Sequence, residues 1–300
     1  MDIFHGLSNE LPFNIHKFKG KKIVTIHDLI FLRYPKLYPL IDRKIYHKKF
    51  KSACELADII VAISEETKND IVNFYSIDPK KIKVVYQSCN DVFYQNGSPS
   101  LRASLPTSGS PSKGEGWAAK TRFKYKLPKN YLLSVGTIEE RKNLLTIVKA
   151  LTLIKDIPLI VIGKKKSYFK KVQQFINENT LSDRIIFLDY VPNEELPAIY
   201  ANADIFIYPS VFEGFGIPII EALTCGTPVI TTQGGCFPEA GGKHSIYIDP
   251  ANHEQLAAEI KNILSSPELR KSMIEKGLEH SKKFLPETIA GEMMKVYSGK

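Results

Sequence analysis

Short apolar runs alternate with segments of helical periodicity in the first part of the chain. The apolar runs are KIVTIHD (22–28), ADIIVAIS (57–64) and KIKVVY (81–86). Between them, residues 43–57 and 64–75 repeat their apolar positions with a helical period, and the second segment begins with Ser64 as a helix cap. Because the runs are apolar throughout rather than alternating, they predict a parallel sheet that is covered on both faces.

The same alternation returns in the second part of the chain. Six further runs predict strands: YLLSVGT (131–137), PLIVIGK (158–164), RIIFLDY (184–190), DIFIYPS (204–210), PVITT (228–232) and SIYIDP (245–250). Helical segments separate the first five runs, and three more are predicted after the last strand, at 252–265, 267–283 and 286–297. This βαβ repetition with short loops is typical of doubly wound sheets. The predicted fold class is α/β, with two Rossmann-like doubly wound domains, the first of them short.

A stretch rich in Ser, Gly and Pro separates the two parts. Residues 96–121 show almost no aliphatic periodicity, which predicts a flexible insert at a domain boundary. The single tryptophan, Trp117, lies in it, either as a docking point or as an accidental residue. The predicted organisation is a partial N-terminal domain at 1–95, an insert or linker at 96–123, a C-terminal domain at 124–285, and a last helix at 286–300 that packs back toward the N-terminal domain.

The net charge of +9 favours an anionic partner, which can be nucleic acid, a membrane surface or a phosphorylated ligand. No nucleic-acid-binding module with interleaved aromatic residues is recognisable, so nucleic acid is not expected. The four cysteines lack metal-ligand spacing and predict reduced thiols. The N-terminus lacks the segments of a signal peptide, and no apolar run approaches the roughly 18 residues of a membrane span. These observations predict a cytoplasmic protein.

Two glutamates flank a glycine-rich turn in VFEGFGIPIIEALTCGTPVI (211–230). Glu213 follows a predicted strand, at the sheet edge where open α/β proteins bind ligands. Gly214 and Gly216 let the backbone approach a ligand closely, and the amides of the following helix favour an anion such as diphosphate. Glu221, one turn into that helix, can accept two hydrogen bonds from a diol such as ribose. An isolated pair of this kind is also typical of a plain protein surface.

A second segment, VGTIEERKN (135–143), favours a ligand site over a plain protein surface. Its strand ends at Gly136, and the loop that follows delivers Arg141 and Lys142. Arginine binds phosphate through two parallel hydrogen bonds and lysine as a point charge, so the adjacent pair is suited to a diphosphate. Together with the two glutamates, these cations form a candidate site for a nucleotide sugar.

Segments in both halves of the chain share their pattern with one family. They are VGTIEERKN, YPSVFEGFGIPIIEALTCGTPVI, FPEAGGKHSIYIDP, IFHGLSNELP, VTIHDLIFLRYP, ADIIVAISEETKNDI and KVVYQSCND. The chain resembles retaining nucleotide-sugar glycosyltransferases with two Rossmann-like domains (GT-B), the family 4 or "group 1" type that includes bacterial mannosyl- and glucosyltransferases. The resemblance covers nearly everything except residues 96–121, and the Glu–seven–Glu segment is its most specific part.

The resemblance implies a role for each candidate residue. Arg141 and Lys142 neutralise the diphosphate leaving group, and Glu221 holds the ribose. Glu213 faces the donor sugar, and His27, in the N-terminal domain, contacts the sugar or the diphosphate; these two are the predicted catalytic residues. The remaining predicted substrate-binding positions are Gly136, Gly214, Phe215, Gly216 and Ile217.

The implied reaction transfers a hexose of mannose or glucose type from a GDP- or UDP-sugar to a glycan or lipid-linked acceptor, with retention, in cell-surface polysaccharide synthesis. A phosphate oxygen of the leaving group takes the acceptor's proton, and Glu213 positions and stabilises rather than acting as a nucleophile. No metal or other cofactor is expected, because protein cations and helix N-termini neutralise the charge.

Family members begin with a further strand and glycine-rich turn before the equivalent of IFHGLSNELP, so the first domain is expected to be incomplete. The activity of the chain is then expected to be reduced or absent, because part of the acceptor site would be missing. An inactive nucleotide-sugar-binding remnant is one alternative, and a related epimerase is another. A phosphorylase would need a pyridoxal lysine, for which no motif is present. The basic runs 43–51 and 164–171 either meet anionic lipid at the inner face of a membrane or are solvated helix faces.

Overall fold

The structure, a computed structural model, describes residues 2–96 and 117–299. Contacts divide the chain into two compact units. The first consists of Met1–Ser88, Phe212–Gly216 and Pro286–Lys300, and the second of Cys89–Val211 and Ile217–Leu285. Each unit is therefore assembled from segments that are far apart in the sequence.

The first unit is built on a parallel sheet whose described strands follow the sequential order β1-β2-β3-β4. They are β1 (Ile3–Gly6), β2 (Lys21–Ile26), β3 (Ile59–Ala62) and β4 (Ile82–Val84). The last three coincide with the predicted apolar runs, whereas β1 was not predicted as a strand. The order of these described strands does not reverse, so the reversal that defines a doubly wound sheet is not seen in this part of the chain.

Helices cover both faces of this sheet. They are α1 (Ile30–Arg33), α2 (Leu40–Leu56), α3 (Glu65–Tyr75) and the C-terminal helix (Pro286–Ser298). Val24 belongs to the same buried cluster as Phe50 of α2, whereas its neighbour Ile23 belongs to a cluster with Val296 of the C-terminal helix. Since adjacent strand residues point to opposite faces, both faces are buried, as the continuously apolar runs predicted.

The second unit contains a parallel sheet of six strands in the order β10-β9-β8-β5-β6-β7. The strands are β5 (Leu132–Val135), β6 (Leu159–Ile162), β7 (Ile185–Leu188), β8 (Ile205–Tyr208), β9 (Val229–Thr232) and β10 (Ile246–Ile248). All six predicted runs form strands. The order winds outward from β5 to β7 and then returns to β8 on the other side of β5, which confirms a doubly wound sheet.

Helices α4 to α12 belong to the second unit. They are α4 (Asp91–Asn96), α5 (Trp117–Lys124), α6 (Leu144–Thr152), α7 (Phe169–Glu178), α8 (Leu196–Asn202), α9 (Ile217–Thr224), α10 (Phe237–Gly241), α11 (His253–Ser265) and α12 (Pro267–Ser281). On β8, Ile205 and Ile207 join the cluster that holds Ile147 of α6 and Ile260 of α11. None of the described helices is long and apolar enough to cross a membrane.

Helix α5 corrects one prediction. Residues 117–123 were assigned to the flexible insert 96–123, but Trp117–Lys124 is helical. The Ser, Gly and Pro content of the preceding residues dominated that prediction, although WAAKTRFK itself contains neither glycine nor proline. Residues 97–116 and the Trp117 side chain, which was considered either as a docking point or as an accidental residue, lie outside the described residues.

Candidate active site

The loop after β5 carries the predicted phosphate-binding residues of the second unit. Gly136 ends the strand with φ +143°, a conformation that residues with a Cβ rarely adopt. A Cβ there would also occupy the space beside the Lys142 side chain, 3.7 Å from its Cδ. The chain then forms a 3₁₀ turn at Glu140–Lys142 and ends it at Asn143 in the left-handed conformation. This turn places Arg141 and Lys142 next to each other after the carboxyl end of a central strand.

Both cations already have partners in this structure. Arg141 contacts Glu139 with 2.9 Å between Nη2 and Oε1, and Lys166 contacts the other oxygen of Glu139 at 2.5 Å. Burial acts to raise the pKa of Glu139, but its bonds and charge interactions with Lys166 and Arg141 lower it overall. Lys142 donates to the Tyr208 hydroxyl at 2.5 Å, with its ammonium 4.7 Å from the centre of the same ring. Glu139 and Tyr208 therefore hold the two cations.

Asn143 ties the loops at this end of the sheet together. Its side-chain amide donates to the carbonyl oxygens of Pro209, after β8, and Pro250, after β10, at 3.2 and 2.7 Å. The backbone N–H of Val211 donates to the carbonyl of Arg141 at 2.9 Å. The loops after β5 and β8, the two strands at which the strand order reverses, are thus joined directly. In open α/β sheets this reversal point is where ligands bind.

Glu221 lies in α9, the helix after β8, which begins at Ile217. The Tyr200 hydroxyl donates to Glu221 Oε2 at 2.8 Å. The residue as a whole is only half-buried, whereas its carboxyl lies deep enough for desolvation to raise its pKa from the usual 4.5 to about 7. The Tyr200 hydrogen bond acts in the opposite direction and favours the charged form. Glu221 is therefore a carboxylate in a poorly solvated place, with one fixed donor.

The segment Phe212–Gly216 belongs to the first unit, and Glu213 is half-buried within it. The Ser64 hydroxyl donates to the carbonyl oxygen of Gly214 at 2.8 Å, while the same Ser64 oxygen caps α3, as the sequence predicted. A Cβ at Gly214 would collide with the carbonyl oxygen of His27, so only glycine allows this approach. The ring of Phe215 stacks on Tyr86 with 5.3 Å between centroids.

His27 lies beside this segment, directly after β2. Its Nε2 lies 2.8 Å from the carbonyl oxygen of Leu7, and its Nδ1 lies 3.3 Å from the amide nitrogen of Gln87. A carbonyl only accepts, so Nε2 carries the proton and Nδ1 accepts from the Gln87 amide. The backbone N–H of His27 donates to Asn9. Both ring nitrogens are thus engaged inside the first unit, and a contact with a donor sugar requires one of these bonds to be exchanged.

The predicted site residues fall into two groups. The second unit holds the loop residues Gly136, Arg141 and Lys142 after β5, and Ile217 and Glu221 on α9 after β8. The first unit brings together His27, Glu213, Gly214, Phe215 and Gly216. Sequence reasoning did not find the residues that hold these groups in place: Ser64 as a partner of Gly214, Glu139, Asn143, Tyr200 and Tyr208. Within residues 2–96 and 117–299, no cluster of three or more His, Cys, Asp or Glu side chains is arranged to hold a metal ion.

Two family models match the chain. Residues 118–280 match "Glycosyl transferases group 1", and residues 3–90 match "Glycosyltransferase Family 4". The first match alone covers more than half of the chain. The chain belongs to the glycosyl transferases group 1 family. The predicted resemblance is thereby confirmed, and by class this family member is a glycosyltransferase.

Individual proteins resemble this glycosyltransferase over most of its length. It is 27% identical over 301 residues to O-antigen chain mannosyltransferase B of Escherichia coli, covering 98% of this chain and 74% of that protein. It is 28% identical over 247 residues to O-antigen chain mannosyltransferase RfbU of Salmonella typhimurium, covering 82% and 61%. The chain thus spans about three quarters of the first relative and about three fifths of the second.

Solved structures support the fold. The sucrose-phosphate synthase of Thermosynechococcus elongatus matches this glycosyltransferase with a TM-score of 0.77 and 22% identity, covering 99% of this chain and 73% of that one. At such identity the likeness concerns the fold alone. The two parallel α/β sheets, together with this likeness, confirm the GT-B architecture.

Proposed function

We propose that the chain transfers a hexosyl group from a nucleoside-diphosphate sugar to a glycan or lipid-linked acceptor, with retention of configuration. One observation carries the proposal. In the second unit, the cation pair Arg141 and Lys142 follows β5, and Glu221 lies one turn into the helix after β8, so both groups flank the reversal of strand order. Cations for a diphosphate and a carboxylate for a diol are the two elements that a nucleoside diphosphate requires.

The diphosphate assignment has electrostatic support. The carboxylate of Glu139 contacts Arg141, and the hydroxyl and ring of Tyr208 contact Lys142. A diphosphate presents more negative charge than either partner and accepts charge-assisted hydrogen bonds from both cations. As the bond to the sugar breaks, negative charge grows on the departing phosphate, so fixed cations at this place favour the transition state. This charge neutralisation needs no metal ion in our proposal.

The sugar end of the reaction is assigned to His27 and Glu213. In our proposal both contact the donor sugar, and Glu213 stabilises positive charge at the anomeric carbon. The bond from that carbon to the phosphate oxygen breaks, and a bond to the acceptor oxygen forms on the same face. A phosphate oxygen of the leaving diphosphate takes the acceptor's proton. These roles follow from the resemblance and remain predictions.

The proposed type of sugar and the proposed pathway are inferred from the relatives. The relatives from Escherichia coli and Salmonella typhimurium are named as O-antigen chain mannosyltransferases, which supports a hexose of mannose type and a role in cell-surface polysaccharide synthesis. Glucose type stays open in the proposal, and GDP- and UDP-sugars are both candidate donors.

Calorimetric titration of the purified chain with GDP and UDP tests the proposal. We expect one nucleotide to bind, and Glu221→Ala to weaken it about tenfold or more, because hydrogen bonds to the charged group are lost. The matched control is Glu194→Ala, which removes an exposed carboxylate of the same unit. A folded chain that binds neither nucleotide contradicts the donor site. With the matching sugar nucleotide, release of nucleoside diphosphate that depends on an acceptor distinguishes a transferase from an epimerase.

A peripheral position on an anionic membrane, at the cytoplasmic face, is a further part of the proposal. Ile41, Lys44, Ile45 and Lys48 of α2 follow helical spacing, and all four are exposed. Exposed apolar side chains between cations suit an interface with anionic lipid. We expect the chain to co-sediment with vesicles containing phosphatidylglycerol and to lose this binding when Lys44 and Lys48 are both changed to Glu.

The second basic run supplies the matched control for the vesicle experiment. Lys170→Glu with Lys171→Glu changes the charge by the same amount on α7 of the second unit. Equal loss of binding in both double variants would argue against α2 as the specific surface, and binding to uncharged phosphatidylcholine vesicles would argue against lipid charge.

A further inference from the structure

Tyr200 is the side chain that meets Glu221 inside the second unit. It is fully buried on α8, and its hydroxyl donates to Glu221 Oε2 at 2.8 Å. No motif drew attention to it, because it lies 21 residues before Glu221 in the sequence. The role of Tyr200 rests on the proposed function, in which Glu221 binds the ribose of a nucleotide.

The position of the Tyr200 hydroxyl is fixed by its surroundings. The ring packs edge-on against Phe93 with 5.6 Å between centroids and in a tilted arrangement against Phe206 at 5.1 Å. The Thr227 hydroxyl donates to the backbone carbonyl of Tyr200 at 2.6 Å. A hydroxyl on a ring that is held on several sides has little freedom, so its hydrogen bond fixes the orientation of the carboxylate.

The Tyr200 hydrogen bond also affects the ionisation of Glu221. Burial opposes ionisation of Glu221, and the Tyr200 bond favours the ionised form. Two thiols also interact electrostatically with Glu221, that of Cys225, directly after α9, and that of Cys89. Burial raises the pKa of both thiols, so both are neutral at physiological pH. Among these partners, the donor that stabilises the carboxylate charge is therefore Tyr200.

A carboxylate that receives a vicinal diol must be charged and correctly turned. Tyr200 engages Oε2, which leaves Oε1 and the second lone pair of Oε2 for the two ribose hydroxyls. We propose that Tyr200 is a positioning residue for nucleotide recognition, which sets the orientation and charge of Glu221 so that the site selects a ribose over a 2′-deoxyribose. Tyr200 itself does not touch the nucleotide.

The test compares the affinities of a ribonucleotide and its 2′-deoxy analogue, UDP with dUDP or GDP with dGDP, whichever base the chain binds. The wild-type chain is expected to prefer the ribonucleotide, and Tyr200→Phe to reduce that preference about tenfold, the loss of one hydrogen bond to a charged group. The preference should fall as the pH drops and Glu221 becomes protonated. In Tyr200→Phe the midpoint of this fall should lie at higher pH, because the bond that favours the charged form is gone.

The matched control is Tyr131→Phe. Tyr131 is also fully buried, and its hydroxyl donates at 2.6 Å to the carbonyl of Ile199 on α8, the helix of Tyr200. This variant should keep both the wild-type preference and its midpoint. If Tyr200→Phe behaves like Tyr131→Phe, the inference is overturned. If the wild-type chain binds no nucleotide, the result contradicts the proposed function itself, not only the role of Tyr200.

A second variant tests the same inference if Tyr200→Phe does not fold. Incorporation of 3-fluorotyrosine at position 200 retains the ring and makes the hydroxyl a stronger hydrogen-bond donor. The midpoint of the ribose preference should then move to lower pH. An unmoved midpoint in the folded, nucleotide-binding chain would overturn the inference.

Discussion

Replacing Glu221 by glutamine is expected to raise the free energy of unfolding at pH 8 by about 3 kcal/mol while it removes the nucleotide site. Burial raises the pKa of this carboxyl from 4.5 to about 7 in the folded chain. The difference is about 2.5 pKa units, and each corresponds to about 1.36 kcal/mol. Glutamine is nearly isosteric and always neutral, and its side-chain oxygen can still accept from Tyr200.

The direction of the pH dependence follows from the raised pKa. Protonation of Glu221 contributes stability that is fully present below pH 4.5 and is lost as the pH rises through about 7. Wild-type chain and variant should therefore unfold at similar urea concentrations near pH 4.5 and diverge toward pH 8, with the variant more stable. Glu194→Gln, at an exposed carboxylate, should show no such divergence. A variant less stable than wild type at pH 8 would contradict this account of Glu221.

Removal of the Lys142 ammonium is expected to lower the turnover of the sugar nucleotide by about 100-fold to 1000-fold, in the range seen when one fixed transition-state donor is lost. Lys142 is half-buried and held against the Tyr208 hydroxyl and ring, so its charge is positioned before any donor arrives. Charge grows on the diphosphate during bond cleavage, so Lys142→Ala should lower kcat more than it raises KM.

Two further variants sharpen the Lys142 experiment. Lys142→Arg keeps the charge and should retain more activity than Lys142→Ala, although the planar guanidinium does not reproduce the ammonium geometry. Lys261→Ala removes an exposed lysine on α11 and should leave kcat unchanged. If Lys142→Ala raises KM alone, the residue binds the donor equally well in the ground and transition states and does not assist departure of the diphosphate.

Much of the fold could be predicted because buried parallel strands carry a simple pattern. The six strands of the second unit are apolar on both faces, and short loops separate them from amphipathic helices, so each was visible locally. β1 was missed because its four residues, IFHG, are only half-buried and end in a histidine and a glycine. Helix α5 was missed because its eight residues follow a long stretch of opposite composition.

The candidate site was only partly predictable. Arg141, Lys142 and Glu221 could be found because the ends of parallel strands have a known relation to ligand sites. Their partners could not be found in the same way. Contact between Tyr200 and Glu221 depends on how α8 packs against α9, and the two hydrogen bonds of the His27 ring depend on Leu7 and Gln87 in separate loops. Sequence spacing encodes none of these distances.

The C-terminal helix has a consequence for the order in which the protein is built. Val296 is buried against strands of the first unit, the Lys21 ammonium donates to its carbonyl oxygen at 2.8 Å, and the Tyr297 hydroxyl lies 2.8 Å from the ring nitrogen of His5. During synthesis the ribosome therefore releases every residue of the second unit before the first unit has its final helix. The early segments of the first unit are therefore translated before the second unit but gain this helix only after it, and a stop codon before residue 286 would leave the first unit without its C-terminal helix.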